Sequence, residues 1–205
     1  MGIIRIAIGI IIGLIVLLFL LKSNKIHKKQ GLLIATVVVV LVCTLLAFIP
    51  FENAFITFPT AEKSFNYFHG KNMNVQIVLD GEVSSFVLAG DNSKHTIQLV
   101  PKTNDGWKIA RGTDSKKVLH KIIDNYSVNI YRYKNSQDYF IGVVNTKSGN
   151  IEVTDNCNSK FHALGYENKA LKETFYSYYA RIESYDYSYC LIIDDKEIPL
   201  HKTTE

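Results

Sequence analysis

VQIVLDGEVSSFVL, residues 75–88, is the stretch that decides the fold of most of this 205-residue chain. It holds two runs of strand-forming residues, Val75–Leu79 and Val83–Leu88, separated by Asp80-Gly81. This dipeptide favours a tight hairpin turn, because both central residues of such a turn adopt positive φ. The stretch therefore predicts two antiparallel strands.

Short strand-like runs divided by turn residues continue along the chain. They are Thr96–Val100, Trp107–Ala110, Val118–Ile123, Val128–Tyr133, Tyr139–Val144, Tyr176–Ile182 and Tyr187–Ile193. Antiparallel pairing is expected, because no helical segment separates them. Residues 171–182 also fit a helical stripe, but their density of aromatic residues favours a strand.

One helix is predicted before these strands, between Pro59 and Gly70. Proline suits the first turn of a helix, and glycine supplies the left-handed residue that ends one. Ala61, Phe65 and Phe68 recur at helical spacing between them. The sequence thus predicts a mainly β (α+β) domain over residues 52–205, in which one N-terminal helix packs on an antiparallel β meander or small barrel.

Two apolar segments, Ile6–Leu21 and Leu32–Ile49, precede this domain. A membrane span needs about 17–25 mostly apolar residues. The segments predict a two-helix transmembrane hairpin over residues 1–51, with spans of about 3–21 and about 32–50 and a cytoplasmic loop over residues 22–31. A signal peptide or a lipoprotein cleavage box at Cys43 fits less well, because the small residues that cleavage requires are missing.

The loop between the two segments carries four lysines, Lys22, Lys25, Lys28 and Lys29. Positive residues in short loops are retained on the cytoplasmic side of a membrane. The expectation is a multi-pass protein of the cell membrane that contacts the lipid bilayer. Both termini and the C-terminal domain would then lie outside the cytoplasm.

Small residues recur at a spacing of four in both segments, as Gly9 with Gly13 and as Cys43 with Ala47. Such pairs let helix backbones approach closely in lipid. They predict packing between the two helices of the hairpin. Dimerisation through Gly9 and Gly13, or no packing role at all, is the alternative, so the oligomeric state stays open.

The basic character of the chain is concentrated in its first quarter. Residues 1–51 hold five Lys and Arg and no Asp or Glu, whereas residues 52–205 hold 18 Lys and Arg against 19 Asp and Glu, a net charge of −1. A nearly neutral domain gives no electrostatic footprint for nucleic acid. Nucleic acid is therefore excluded as an expected partner.

Three segments carry a family resemblance: FPTAEKSFNY at residues 58–67, DYFI at residues 138–141 and DNCNS at residues 155–159. Together they resemble small, uncharacterised, membrane-anchored extracytoplasmic proteins of low-GC Gram-positive bacteria. Those proteins carry an F-x-[ST]-P-E-x-A-F-like helix start before a β-rich domain, and this chain departs from that start at Phe58 and Thr60. The resemblance implies a location and an architecture but no activity.

Two cysteines of the predicted outer domain, Cys157 and Cys190, are candidates for a disulfide. An exported location permits the bond, whereas the resemblance implies a sparing use of disulfides. A sortase-like cysteine transpeptidase would need a threonine before the cysteine and an arginine after it. Tyr189 precedes Cys190 and no arginine follows it, so this enzyme class is rejected.

No motif predicts a cofactor, a metal ion or a catalytic residue. The histidines are scattered, without a His-x-x-x-His or Cys-x-x-Cys arrangement. The chain also lacks the glycine-rich phosphate loop and the Gly-x-Ser-x-Gly nucleophile elbow.

Tyrosines alternate along two predicted strands, as Tyr185, Tyr187 and Tyr189 and as Tyr176 and Tyr178. Alternate residues of a strand share one face. A row of tyrosines can stack on the sugar rings of a cell-wall polymer or anchor an envelope protein. The alternative is ordinary packing between neighbouring strands.

The leading functional hypothesis is a membrane-tethered extracytoplasmic binding module of the cell envelope. Tethering raises the effective concentration of a module near its partner. The alternatives are an envelope enzyme whose site is assembled from residues distant in sequence, and a sensor or accessory subunit of a membrane complex.

Overall fold

A computed structural model describes residues 2–22, 28–48, 50–70, 73–90, 95–111, 113–168 and 170–200. Its helices are α1 (Gly2–Lys22), α2 (Lys28–Phe48) and α3 (Ala61–His69), and a short 3₁₀ helix covers Phe51–Ala54. The strands follow α3 without a further helix among the described residues.

Twelve strands lie within the described ranges. They are β1 (Val75–Asp80), β2 (Ser84–Gly90), β3 (His95–Thr103), β4 (Gly106–Trp107), β5 (Ser115–Ile123), β6 (Tyr126–Tyr133), β7 (Tyr139–Ser148), β8 (Val153–Asp155), β9 (His162–Asn168), β10 (Glu173–Ile182), β11 (Cys190–Ile193) and β12 (Lys196–Pro199). The region that also fitted a helical stripe is strand β10, as its aromatic content favoured.

The strands form three antiparallel sheets, in the orders β1-β2-β3-β4, β5-β6-β7-β10-β9 and β12-β11-β8. The predicted single meander or small barrel is therefore replaced by stacked sheets. The physical reason is visible in β2, whose seven residues are all buried. A strand buried on both faces requires a packed layer on each side of its sheet.

Three apolar cores separate four layers. The first joins α3 to one face of the first sheet: Ala61, Phe65, Val87, Ala89 and Val100. The second joins the first and second sheets: Leu79, Phe86, Leu88, Leu99, Tyr133, Phe140 and Tyr179. The third joins the second and third sheets: Val128, Ile130, Tyr139, Ile141, Val143, Tyr178, Ala180, Ile182, Tyr185, Tyr189, Leu191, Ile193, Ile198 and Leu200.

The predicted helix is confirmed as α3, and local residues explain both of its ends. Thr60 is the N-cap, and its hydroxyl accepts a hydrogen bond from the Lys63 N–H at 3.2 Å. Gly70 ends the helix in the left-handed conformation with φ 67°. Pro59 lies one residue before the N-cap, outside the first turn where the sequence placed it.

The β1–β2 hairpin is confirmed, but its turn is not the predicted two-residue turn. Asp80 pairs with Ser85, and the Gly81 N–H donates to the Ser84 carbonyl at 2.7 Å. Gly81 does not adopt the left-handed φ that the prediction required. Glycine is needed for another reason, because a Cβ there would lie 2.5 Å from Cγ of Asp138.

A tight two-residue turn does occur between β11 and β12. Ile193 pairs with Lys196, and the two residues between them, Asp194 and Asp195, have φ of 46° and 63°. Aspartate is among the residues that tolerate the left-handed region. The adjacent aspartates thus form an exposed corner.

The predicted two-helix transmembrane hairpin is wrong. Across the described residues, no helix combines the length and the apolar character that crossing a membrane requires. A crossing takes about 20 consecutive, mainly apolar residues, and the first turn of α2 is instead formed by Lys28, Lys29 and Gln30. The predicted location outside the cytoplasm depends on that hairpin and stays a prediction.

Helices α1 and α2 nevertheless pack against each other at small residues. A Cβ at Gly13 would collide with Val39. Ala35 is only 5 % exposed. Gly13 therefore contacts the middle of α2, whereas Cys43 is half-buried and the side-chain environments of Gly9 and Ala47 lie outside what the structure describes.

Candidate functional site

An open groove of about 410 Å³ lies beside β9, the outer strand of the second sheet. Its size falls in the range of small-ligand sites, about 300–1,000 Å³. Its lining combines apolar, aromatic and polar side chains: Asn150, Ile151, Glu152, Val153, Phe161, Ala163 and Tyr178. The groove is a concave feature on which a binding site can be argued.

Tyr178 holds one wall of the groove in place. It projects from β10 and is only 4 % exposed. Its hydroxyl accepts a hydrogen bond from the Ile151 N–H at 3.0 Å and donates to Oδ1 of Asn150 at 2.7 Å. Burial raises the pKa of Tyr178, so the donated proton is retained at neutral pH. This side chain fixes the segment that leads into β8.

The rim of the groove is acidic. The Glu152 N–H donates to Oδ1 of Asp194 at 2.9 Å, and the Asp194 N–H donates to the Glu152 carbonyl at 3.0 Å. Both residues are exposed. The β11–β12 turn therefore places a second carboxylate beside Glu152.

Strand β9 presents small side chains beside the groove. Ala163 is exposed and pairs with Tyr178 of the neighbouring strand β10. Gly165 pairs with Tyr176, whose ring covers it, since a Cβ there would lie 3.0 Å from Cε1 of that ring. Among the described residues no strand other than β10 pairs with β9. One hydrogen-bonding edge of β9 is thus left open.

A buried carboxylate at Asp138 is a structural feature that the sequence did not single out. Its oxygens accept hydrogen bonds from the N–H groups of Glu82 and Val83, both at 2.8 Å, and from Oγ of Ser84 at 3.0 Å. The Arg181 guanidinium lies 3.7 Å away. These contacts occupy the carboxylate and tie the first sheet to the second.

A second buried carboxylate, Asp155, shapes the turn that follows β8. It accepts hydrogen bonds from the N–H groups of Cys157 at 3.0 Å and Ser159 at 2.8 Å. It also accepts one from the Tyr189 hydroxyl at 2.9 Å. Asp155 is therefore occupied with backbone and core contacts and is not among the residues that line the groove.

The two candidate disulfide cysteines, Cys157 and Cys190, are free thiols in the structure. Burial raises the pKa of the Cys157 thiol, and the carboxylates of Asp155, Asp186 and Glu183 raise it further. A thiol that keeps its proton is a poor nucleophile. The disulfide stays a prediction, and the geometry gives no support to nucleophilic chemistry at Cys157.

The predicted tyrosine face is mostly part of the third core. Tyr185 and Tyr189 are 5 % and 1 % exposed and meet edge to face at 5.8 Å, whereas Tyr187 is 62 % exposed. Residues 184–189 do not form a strand, so alternation does not place these tyrosines on one face. Tyr176 is half-buried and stacks on Tyr178 at 6.4 Å, and only Tyr178 reaches the groove.

The four loop lysines are described only in part. Lys22 and Lys29 are exposed at the ends of α1 and α2. Lys25 lies outside the described residues, as does the side chain of Lys28. In the part of the chain that the structure describes, no group of three or more His, Cys, Asp or Glu residues is placed to hold a metal ion.

Alkaline pH is expected to destabilise the fold through partly buried tyrosines such as Tyr131. Burial raises the pKa of Tyr131 to about 12, with a further contribution from Tyr179. An unfolded tyrosine ionises near pH 10, so between about pH 10 and 12 only the unfolded chain loses this proton. The free energy of unfolding should fall there by up to about 1.4 kcal/mol per pH unit for such a group.

Urea denaturation at increasing pH measures this slope. Tyr131→Phe should flatten it, because the ionising group is gone. Tyr187→Phe is the control, since this side chain is 62 % exposed. Equal slopes for the wild type and Tyr131→Phe would contradict the expectation.

Comparison of the chain with models of protein families, with curated proteins and with solved structures finds no match, so the resemblance to extracytoplasmic proteins of Gram-positive bacteria stays a prediction.

Proposed function

We propose that this protein is a non-enzymatic interaction module whose α1–α2 pair associates with lipid while its β-rich domain binds a partner in the groove beside β9. The observation that carries the proposal is the apolar surface of the helix pair. The proposal concerns contact with lipid and includes no crossing of a bilayer.

The exposed apolar side chains form a wide surface on both helices. Six lie on α1 and seven on α2: Ile10, Ile11, Leu14, Ile15, Leu18, Phe19, Leu32, Leu33, Ile34, Val37, Val40, Leu41 and Leu45. At about 100° per residue they cover about 180° of α1 and about 220° of α2. A single protein partner is matched by a narrower stripe, so this width favours contact with a lipid surface.

Polar groups on the same surface are satisfied within the helix. The Thr36 hydroxyl donates to the Leu32 carbonyl at 2.9 Å, and the Thr44 hydroxyl donates to the Val40 carbonyl at 2.8 Å. Both threonines are exposed. Such internal hydrogen bonds are needed where water is absent. They support an apolar environment around α2.

The positive charges of the helix pair support binding to an anionic lipid surface. They lie at the end of the pair where the two helices are connected. Lys22 and Lys29 are exposed there, and residues 1–51 contain no acidic residue. A lysine near an anionic membrane surface contributes about 1 kcal/mol. Lipid contact would concentrate the β-rich domain near partners at the same surface.

Vesicle flotation tests the lipid contact. The full chain is mixed with vesicles of phosphatidylcholine and a minority of phosphatidylglycerol, and the floating fraction is measured. Leu14→Lys with Leu41→Lys should lower binding at least about tenfold, because burial of each leucine side chain, worth about 1.5–3 kcal/mol, is lost. The expected wild-type result is co-flotation.

The matched control is Ile122→Lys with Leu171→Lys, at apolar positions of the β-rich domain that are 72 % and 59 % exposed. This control should float as the wild type does. Lipid contact is contradicted if the wild type stays at the bottom of the gradient, or if the helix variant and the control float equally. A stable dimer that buries the helix pair without lipid would contradict it as well.

A further inference from the structure

We infer that β9 accepts an extended segment of a partner protein as an added strand. One apolar side chain of the segment enters the groove, and a neighbouring Lys or Arg meets the acidic rim. This inference rests on the proposed function, because it specifies the partner and the site of the interaction module.

The two edges of the second sheet differ in protection. Edge strand β5 carries Lys116, Lys117 and Lys121 and has an irregularity in its pairing with β6. Lysines and bulges are the means by which proteins block pairing at an edge. Strand β9 carries neither Lys nor Arg. The chemistry of the two edges therefore directs an incoming strand to β9.

The backbone of β9 supplies the hydrogen bonds that such a strand needs. In an antiparallel pair, successive residues direct their N–H and C=O groups alternately toward and away from the neighbouring strand. One set serves β10, and the other set faces the open edge. The short side chain of Ala163, which is exposed, leaves room for close approach at this part of the edge.

The groove lies where a side chain of the added strand would project. Ala163, the second residue of β9, lines the groove, as does Phe161, which directly precedes the strand. Tyr178, which pairs with Ala163, forms the wall behind them. Because alternate side chains of a strand point to one face, every second residue of the segment faces the side of the sheet that holds the groove. An apolar residue there would contact the half-buried Phe161, next to the buried ring of Tyr178.

Charge complementarity identifies the neighbouring residue of the segment. Glu152 lines the groove and Asp194 contacts its backbone. No cation pairs with either carboxylate within the described ranges. A Lys or Arg next to the apolar anchor would satisfy both carboxylates. The partner is thus an extended, basic peptide segment with an apolar anchor.

Peptide selection on the full chain tests this inference. A library of random peptides of about nine residues, the length of a long strand, is selected on the wild type, and dissociation constants are measured by fluorescence anisotropy. Enriched peptides should contain an apolar residue flanked by Lys or Arg. Ala163→Arg fills the groove and should weaken their binding at least about tenfold.

The control variant is Ile122→Arg, an equivalent change on edge strand β5, where Ile122 is 72 % exposed. It should bind the enriched peptides as the wild type does. Glu152→Gln should weaken binding about threefold and reduce its salt dependence. Bound peptide should also slow amide hydrogen exchange in β9.

Three results would overturn strand addition: no peptide is enriched, enriched peptides bind Ala163→Arg as tightly as the wild type, or β9 amides gain no protection. Binding of chitotetraose that is lost in Ala163→Arg, without any enriched peptide, would assign the groove to sugars instead. The two proposals fail separately. A chain that floats with vesicles and enriches no peptide loses only the strand-addition proposal, and a chain that binds peptides without floating loses only lipid contact.

Discussion

Asp138→Ala is expected to lower the free energy of unfolding by about 3 kcal/mol or more. The carboxylate is 1 % exposed and accepts hydrogen bonds from the N–H groups of Glu82 and Val83, both at 2.8 Å. Alanine leaves both N–H groups without their acceptor, and an unsatisfied buried donor costs about 1–3 kcal/mol. The Ser84 hydroxyl loses its acceptor as well.

Urea denaturation of the full chain, followed by the fluorescence of its single tryptophan, Trp107, measures this loss. Glu82→Ala is the matched control, since the Glu82 and Asp138 carboxylates lie 3.5 Å and 3.7 Å from the same Arg181 nitrogen. Glu82 is 78 % exposed, so its pair with Arg181 contributes at most about 1 kcal/mol. If both variants lost the same free energy of unfolding, the ion pair with Arg181 would hold the sheets together, and not the hydrogen bonds that Asp138 accepts from the N–H groups of Glu82 and Val83.

The same carboxylate explains why a turn of the first hairpin was predicted incorrectly. Asp80-Gly81 and Asp194-Asp195 are both suited to left-handed turns, yet only the second pair adopts one. Asp138 lies more than fifty residues from the first hairpin and determines the conformation of its loop. A turn is predictable when its own residues decide it, and not when a distant carboxylate does.

Local sequence signals were sufficient to predict α3 and the strands that are rich in β-branched residues. The helix has its cap, its apolar stripe and its terminal glycine within eleven residues. Strand β9, with the sequence HALGYEN, has neither alternation nor a β-branched residue. Its conformation is imposed by pairing with β10. The sequence analysis missed the groove for the same reason, because one wall of the groove depends on β9, a strand that the sequence does not predict.

The tyrosine pattern was misleading because alternation has meaning only within a strand. Tyr185 and Tyr189 lie in an irregular segment and enter the third core. Tyr178 lies in a strand and shares one face with Tyr176, as alternation predicted, but that this face lies toward a third sheet did not follow from the sequence. That this face is covered, except at the groove, depends on the third sheet, two of whose strands were not predicted.

Phe86→Ala is expected to lower the free energy of unfolding by about 3–5 kcal/mol, the range found for truncating a buried aromatic side chain. Phe86 is 0 % exposed in the core between the first and second sheets. Its ring centroid lies 5.7 Å from those of both Phe140 and Tyr179 and 5.9 Å from that of Tyr131. Alanine removes a ring of the first sheet that packs with three rings of the second sheet.

Two variants separate the cavity from the loss of apolar surface. Phe86→Leu keeps most of the volume and should cost about 1.5 kcal/mol or less, whereas Phe55→Ala removes a ring that is 85 % exposed and should change stability by about 0.5 kcal/mol or less. A loss below about 1 kcal/mol for Phe86→Ala would mean that the two sheets do not share a cooperative core.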